Sequence, residues 1–93
     1  MNVIYTVKPT NRFRKDYKLM EKRNLDISLL DDIISKLAQG IPLPDYNCDH
    51  MLVGNYAGHR ECHITPNWLL IYRIFDDVLV LSLTRTGSHS DLF

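Results

Sequence analysis

The chain has 93 residues, 45% of them apolar and 24% charged, with eleven cations balancing eleven anions. This is the length and composition of one globular domain; it excludes a disordered chain, and no apolar run approaches the ~18 residues of a membrane helix. The N-terminus lacks the charged-then-apolar order of a signal peptide, so the expected compartment is the cytoplasm, with Cys48 and Cys62 as free thiols.

Residues 2–8 (NVIYTVK) are rich in β-branched and aromatic types and predict a strand ended by Pro9 and Thr10. Thr10 is suited to cap a helix. Phe13, Tyr17 and Met20 then recur on one helical face, and Asn24 is a helix stop. A second helix follows, capped by Asp26 or Ser28, with Leu29, Leu30, Ile33, Ile34 and Leu37 as its apolar positions. Gly40, Pro42 and Pro44 end it. The zero net charge hides a division: residues 1–24 carry seven cations and two anions, residues 25–49 one cation and five anions. A basic segment attracts phosphate backbones or simply keeps a helix face in water.

From about residue 50 the period becomes two. Residues 60–64 predict a short strand, Pro66-Asn67 a turn, and residues 68–75 and 78–85 two strong strands joined at Asp76-Asp77. Gly87 breaks the last strand, and the remainder reads as a tail. The order β-α-α-β-β-β predicts an α+β fold, two helices covering one face of a mostly antiparallel sheet. Strand parity puts Leu79, Leu81 and Leu83 under the helices and Ser82 and Thr84 on the other face. Residues 68–75, apolar on both faces, suit a central strand. Trp68, at its start, is expected at the rim of an open groove.

All four histidines, His50, His59, His63 and His89, lie in the last 44 residues. Histidine is the side chain suited to proton transfer near neutral pH. Cys48, His50, Cys62 and His63 lack the paired spacing of a zinc site, and neighbours in a strand point to opposite faces; no metal or other cofactor is expected. RNA cleavage needs none, because RNA carries its own 2′-OH nucleophile. It needs a base, an acid and a cation at the phosphate. His50, His63 and His89 with Arg60, Arg73 or Arg85 supply these types, and Trp68 and Phe93 offer platforms for a base.

One set of motifs spans nearly the whole chain: Asp49-His50 before a Leu-x-Gly, Gly58-x-Arg60-Glu61-x-His63, Pro66-x-Trp68, Ile71-Tyr72, and Arg85-Thr86-Gly87-Ser88-His89 ending in Leu92-Phe93. With the Pro42-Leu43-Pro44 linker and the two helices, it resembles the YafQ branch of the RelE/ParE toxin superfamily. The resemblance implies a single RelE-like domain over residues 1–93. It implies a toxin of a type II toxin–antitoxin pair that binds the ribosome's decoding site and cuts mRNA without a metal. Carried over by position, His50, His63 and His89 are the catalytic histidines. Trp68 and Phe93 are aromatic site positions. The family's aspartate before the tryptophan is Asn67 here; an amide can hold an RNA group but cannot take a proton.

Arg60 and Arg85 are candidates for phosphate contact, with bonding to carboxylates or strand ends as the structural alternative. His59 reads as a loop residue, Tyr72 as packing. The expected partners are an antitoxin with an acidic contact surface, the ribosome and mRNA. Two rival readings are a non-enzymatic, ParE-like gyrase inhibitor and a catalytically weakened toxin kept as an antitoxin partner.

Overall fold

Thr10 is where strand becomes helix, and its bonds show how the two are joined. Its N–H donates to the Leu83 carbonyl, 2.9 Å, and its hydroxyl to the Thr84 carbonyl, 2.9 Å. The same hydroxyl accepts from the Phe13 N–H, 3.0 Å, as a helix cap should. A computed structural model of the chain describes residues 4–93; Asn2 and Val3 of the expected first strand lie outside the described residues. The elements are β1 (Thr6–Pro9), α1 (Asn11–Lys22), α2 (Ile27–Ala38), β2 (His50–Met51), β3 (Arg60–Thr65), β4 (Trp68–Phe75), β5 (Val80–Gly87) and α3 (His89–Leu92). Single 3₁₀ turns occupy Asp45–Asn47 and Gly54–Tyr56.

The sheet order is β1-β5-β4-β3-β2. β1 runs parallel to β5, and the other pairs are antiparallel. The expected α+β architecture is present. Phe13, Met20, Leu30, Ile33 and Leu37 of the helices pack on Cys62, Trp68, Leu70, Tyr72, Leu81 and Leu83 of the sheet. The opposite face of β4 carries Leu69 and Ile71, which meet Leu92, Leu52 and Tyr56. That face is therefore partly covered by α3 and by the loop before β3.

Four expectations are corrected. The β4–β5 connection is a turn over residues 76–79 rather than a two-residue loop at Asp76-Asp77. Phe75 pairs with Val80, and Leu79 sits at φ 53° with its side chain exposed. A long-range bond recruits Leu79: its carbonyl accepts the Thr6 N–H, 2.8 Å, and starts the parallel β1 pairing. Leu81 and Leu83 do lie under the helices; Leu79 does not. Gly87 ends β5 instead of breaking it, and the residues after it form α3, not a loose tail.

The third correction is a bulge. Tyr72 pairs with Leu83 but Ile71 with Arg85, so Thr84 is an extra residue in β5. A one-residue insertion exchanges the faces of everything beyond it. Arg85 shares the Ile71 face, while Thr86, opposite Leu70, turns toward the helices. The fourth follows from it. Trp68 is not at a groove rim: it is 3% exposed in the helix-side core, and its Nε1–H donates to Thr86 Oγ1, 2.9 Å. Thr86 passes its own proton to the Leu69 carbonyl, 2.7 Å, so the indole N–H is satisfied without water.

Candidate active site

β3 alternates from Arg60 to His63, before a register irregularity at Ile64. Arg60 and Cys62 stand opposite Tyr72 and Leu70 on the helix side, while Glu61 and His63 stand opposite Ile71 and Leu69 on the other face. β2 adds His50 directly across from Glu61. The result is a carboxylate between two imidazoles. Glu61 is 5% exposed, and its Oε1 lies 3.6 Å from Nε2 of both His50 and His63. A buried carboxylate carries its charge only with compensating partners. Glu61 has two histidines, each of which can take up or release a proton. His50 is oriented from behind: its Nδ1 lies 2.6 Å from the Cys48 carbonyl, where Nδ1–H is the donor. That leaves Nε2 for Glu61, and a proton arriving there meets a carboxylate.

The loop that presents His50 is anchored on both sides. Asn47, buried, donates to the His63 carbonyl, 2.7 Å. Cys48 takes a left-handed turn at φ 49°. Asp49 looks to the helix side, where it accepts from Tyr72 Oη, 2.6 Å, and from Arg60 Nε, 3.3 Å. Burial, with this bond to Asp49, pushes the Tyr72 phenol far above its ordinary range. Arg60 is thus held by a carboxylate on the face away from the histidines, and the structure does not bring it to them. It lines a separate cavity of about 220 Å³ with Tyr5, Leu43 and Ile74.

Arg85 does stand on the histidine face. It is tied down at the sheet edge, where Nε and Nη2 donate to the two oxygens of Asp16, 2.7 and 3.2 Å. That bond lifts the guanidinium above its ordinary value, and Tyr56 beside it adds to the effect. α3 reaches the same face through Leu92, buried against Leu69 and Ile71. The His89 and Phe93 rings lie 4.9 Å apart, Phe93 meets Tyr56 edge-on at 5.7 Å, and Tyr56 meets His59 at 6.0 Å. Of the two rings expected as stacking platforms, Phe93 is more than half exposed in this row and Trp68 is buried in the core. Asn67 sits exposed in the turn before β4.

Five contributors escaped the sequence reading: Glu61, Tyr56, Asp16, Arg23 and Asp91. One signal was available. Ser88-x-x-Asp91 is a capping-box pattern, and both of its bonds are present. Glu61 depends on strand register, and Asp16, Arg23 and Tyr56, on α1, at its end and in a 3₁₀ turn, depend on how those elements pack on the sheet.

The family model for the bacterial toxin of type II toxin–antitoxin system, YafQ, matches residues 5–93. The chain is 38% identical over 85 residues to the mRNA interferase toxin YafQ of Escherichia coli K12, covering 90% of each. The crystal structure of the E. coli DinJ–YafQ complex is similar at TM-score 0.88 and 36% identity, over 96% of this chain and 98% of that one. A metal-bound toxin from Helicobacter pylori is similar at TM-score 0.90 and 39% identity, over 96% and 99%.

Proposed function

The chain belongs to the YafQ family of bacterial toxins of type II toxin–antitoxin systems, and we propose that it is an mRNA interferase that cuts mRNA on the ribosome by histidine acid–base chemistry. The observation that carries the reading is the Glu61 carboxylate shared by His50 and His63, 3.6 Å from each, on the face that also bears Arg85 and α3. The RNA supplies the nucleophile. One histidine removes the 2′-OH proton as the O2′–P bond forms. A second delivers a proton to O5′ as the P–O5′ bond breaks. Arg85 offsets charge on the phosphate oxygens, and Phe93 with His89 stacks a base. Glu61 stabilises whichever of His50 and His63 carries the proton.

Action on the ribosome makes the cytoplasm its compartment; among the described residues no helix is long and apolar enough to cross a membrane. The partner is a cognate antitoxin that is acidic where it meets α1. There Arg14 and Lys18, with Glu21, flank an apolar groove formed by Pro9, Phe13 and Tyr17. Binding should weaken as salt rises; salt-independent binding that leaves α1 exposed overturns the assignment of this surface.

Cleavage of mRNA on programmed ribosomes tests the activity. The expected products carry a 2′,3′-cyclic or 3′-phosphate and a 5′-OH. Fresh 5′-phosphate ends would overturn the mechanism. Inhibition of DNA gyrase with no RNA cut would overturn the function.

A further inference from the structure

We propose that Arg23 is a positioning residue for His89, acting through Asp91. The inference rests on the reading of His89 as a catalytic group. α3 is one turn long, and a single turn has no stability of its own in water. It must be held by its surroundings, and its attachments converge on one carboxylate. Asp91 Oδ2 accepts the Ser88 N–H, 2.8 Å, while the Asp91 N–H donates to Ser88 Oγ, 3.2 Å. Arg23 closes the arrangement from α1, 68 residues away: Nη1 donates to Oδ2, 2.7 Å, and Nη2 to Oδ1, 3.1 Å. A two-point guanidinium–carboxylate fork fixes orientation as well as distance. Gly87 leaves room for it, since a Cβ there would stand 3.0 Å from both Cβ and Oδ2 of Asp91.

Below this, apolar contacts hold the turn, Leu92 against Leu69 and Ile71 and Phe93 edge-on to Tyr56. A hydrophobic contact sets depth but not rotation. Rotation of α3 about Leu92 would swing His89 and Phe93 together, because both lie on that turn with their rings 4.9 Å apart. The fork opposes that rotation. Arg23 is itself set by the end of α1, where Asn24 at φ 59° turns the chain away. Its pair with Asp91 is partly solvated, with the two side chains 41% and 25% exposed. Such a pair contributes little to global stability, so variants should fold.

The test compares Arg23→Gln, Arg23→Lys and Asp91→Asn on programmed ribosomes, with backbone relaxation of the Ser90–Phe93 amides measured in parallel. Misplacing a catalytic group lowers turnover, so kcat should fall about 10- to 100-fold in Arg23→Gln and Asp91→Asn. The double variant should be no worse than either single one. Asp91→Asn adds no negative charge and should leave KM unchanged. Arg23→Lys, which keeps the charge but loses the fork, should recover only part of kcat. The α3 amides should become mobile in all three. A rise in KM alone with α3 as ordered as in the wild type would make Arg23 a ribosome contact and overturn the proposal. Mobile α3 amides with unchanged kcat would overturn it too. Full activity in His89→Ala would instead sink the reading of His89, while the relaxation data still report whether Arg23 holds α3.

Discussion

Asp16, in the middle of a basic helix, is a buried carboxylate that receives the Arg85 guanidinium at 2.7 and 3.2 Å and the Thr86 N–H at 3.2 Å. β1 pairs with β5 only as far as Leu83. Beyond it, α1 takes over the strand's edge, and Asp16 satisfies the backbone donor that a neighbouring strand would have used.

Asp16→Ala should therefore destabilise the fold by about 2–4 kcal/mol, the usual cost of stranding a buried charge and a backbone N–H. A lowered urea midpoint at unchanged slope is the expected measurement. Asp16→Ala combined with Arg85→Ala should cost less than the two changes summed. Strict additivity would show that the pair does not act as a unit.

His89→Ala should lose about 10²–10⁴ in kcat while keeping the fold, since His89 is exposed and Leu92 and Asp91 hold its helix. Glu61→Gln should lower kcat by about tenfold or more, because the histidine that holds the proton loses its counter-charge. His59→Ala should be close to neutral; its ring meets the end of the aromatic row at Tyr56 and the neighbouring Ala57 carbonyl, 3.4 Å. A His59→Ala loss as large as that of His89→Ala would displace the chemistry to the other end of that row.

The two cysteines should differ sharply toward alkylating reagents. Cys62 is completely buried, and burial, reinforced by Asp49 and Glu61, pushes its thiol up to about 12. The thiolate is the reactive form, so Cys62 should stay unmodified at pH 8 until the protein unfolds. Cys48 is exposed and should label in the native state. Mass spectrometry should find one adduct on native protein and two in denaturant.

Asp91 gives a pH-dependent signature. The Arg23 fork, then the Ser88 backbone, hold its carboxyl well below the usual carboxylate range. A folded-state value below the unfolded ~3.9 means the stabilisation is complete above that pH and is lost as pH falls toward the folded value. The stability gap between the wild type and Asp91→Asn should be constant from about pH 5 to 8 and shrink below about pH 4. High salt should narrow it throughout, because the pair is partly solvated. A gap that widened on acidification would contradict the assignment.

Much of this protein is decided within a few residues of chain, and that much is legible in the sequence. Thr10 and Asp26 cap their helices because a short oxygen-bearing side chain satisfies an N–H two or three positions on. The 3–4 spacing of Phe13, Met20, Leu30, Ile33 and Leu37 marks the buried helix faces. The period of two marks β4, and the ordered motifs from His50 to Phe93 mark the toxin family. Even the Ser88–Asp91 box is local. What the tertiary structure alone decided is which face each sheet residue presents and what it meets there. Parity is reliable only to the first bulge. One extra residue at Thr84 sends Arg85 to the histidine face and Thr86 inward, and Thr86 then draws the Trp68 N–H into the core. Glu61 reads as one more charge until β2 sets His50 opposite it and His63 stands two residues along the same face. Arg60 and Arg85, alike in sequence, are separated by the carboxylates that capture them, Asp49 behind the sheet and Asp16 at its edge. Each of these depends on hydrogen bonds closing 11 to 69 residues of chain; local propensity carries no information about register at that range, because the free energy that fixes it comes from pairing and packing the whole sheet at once.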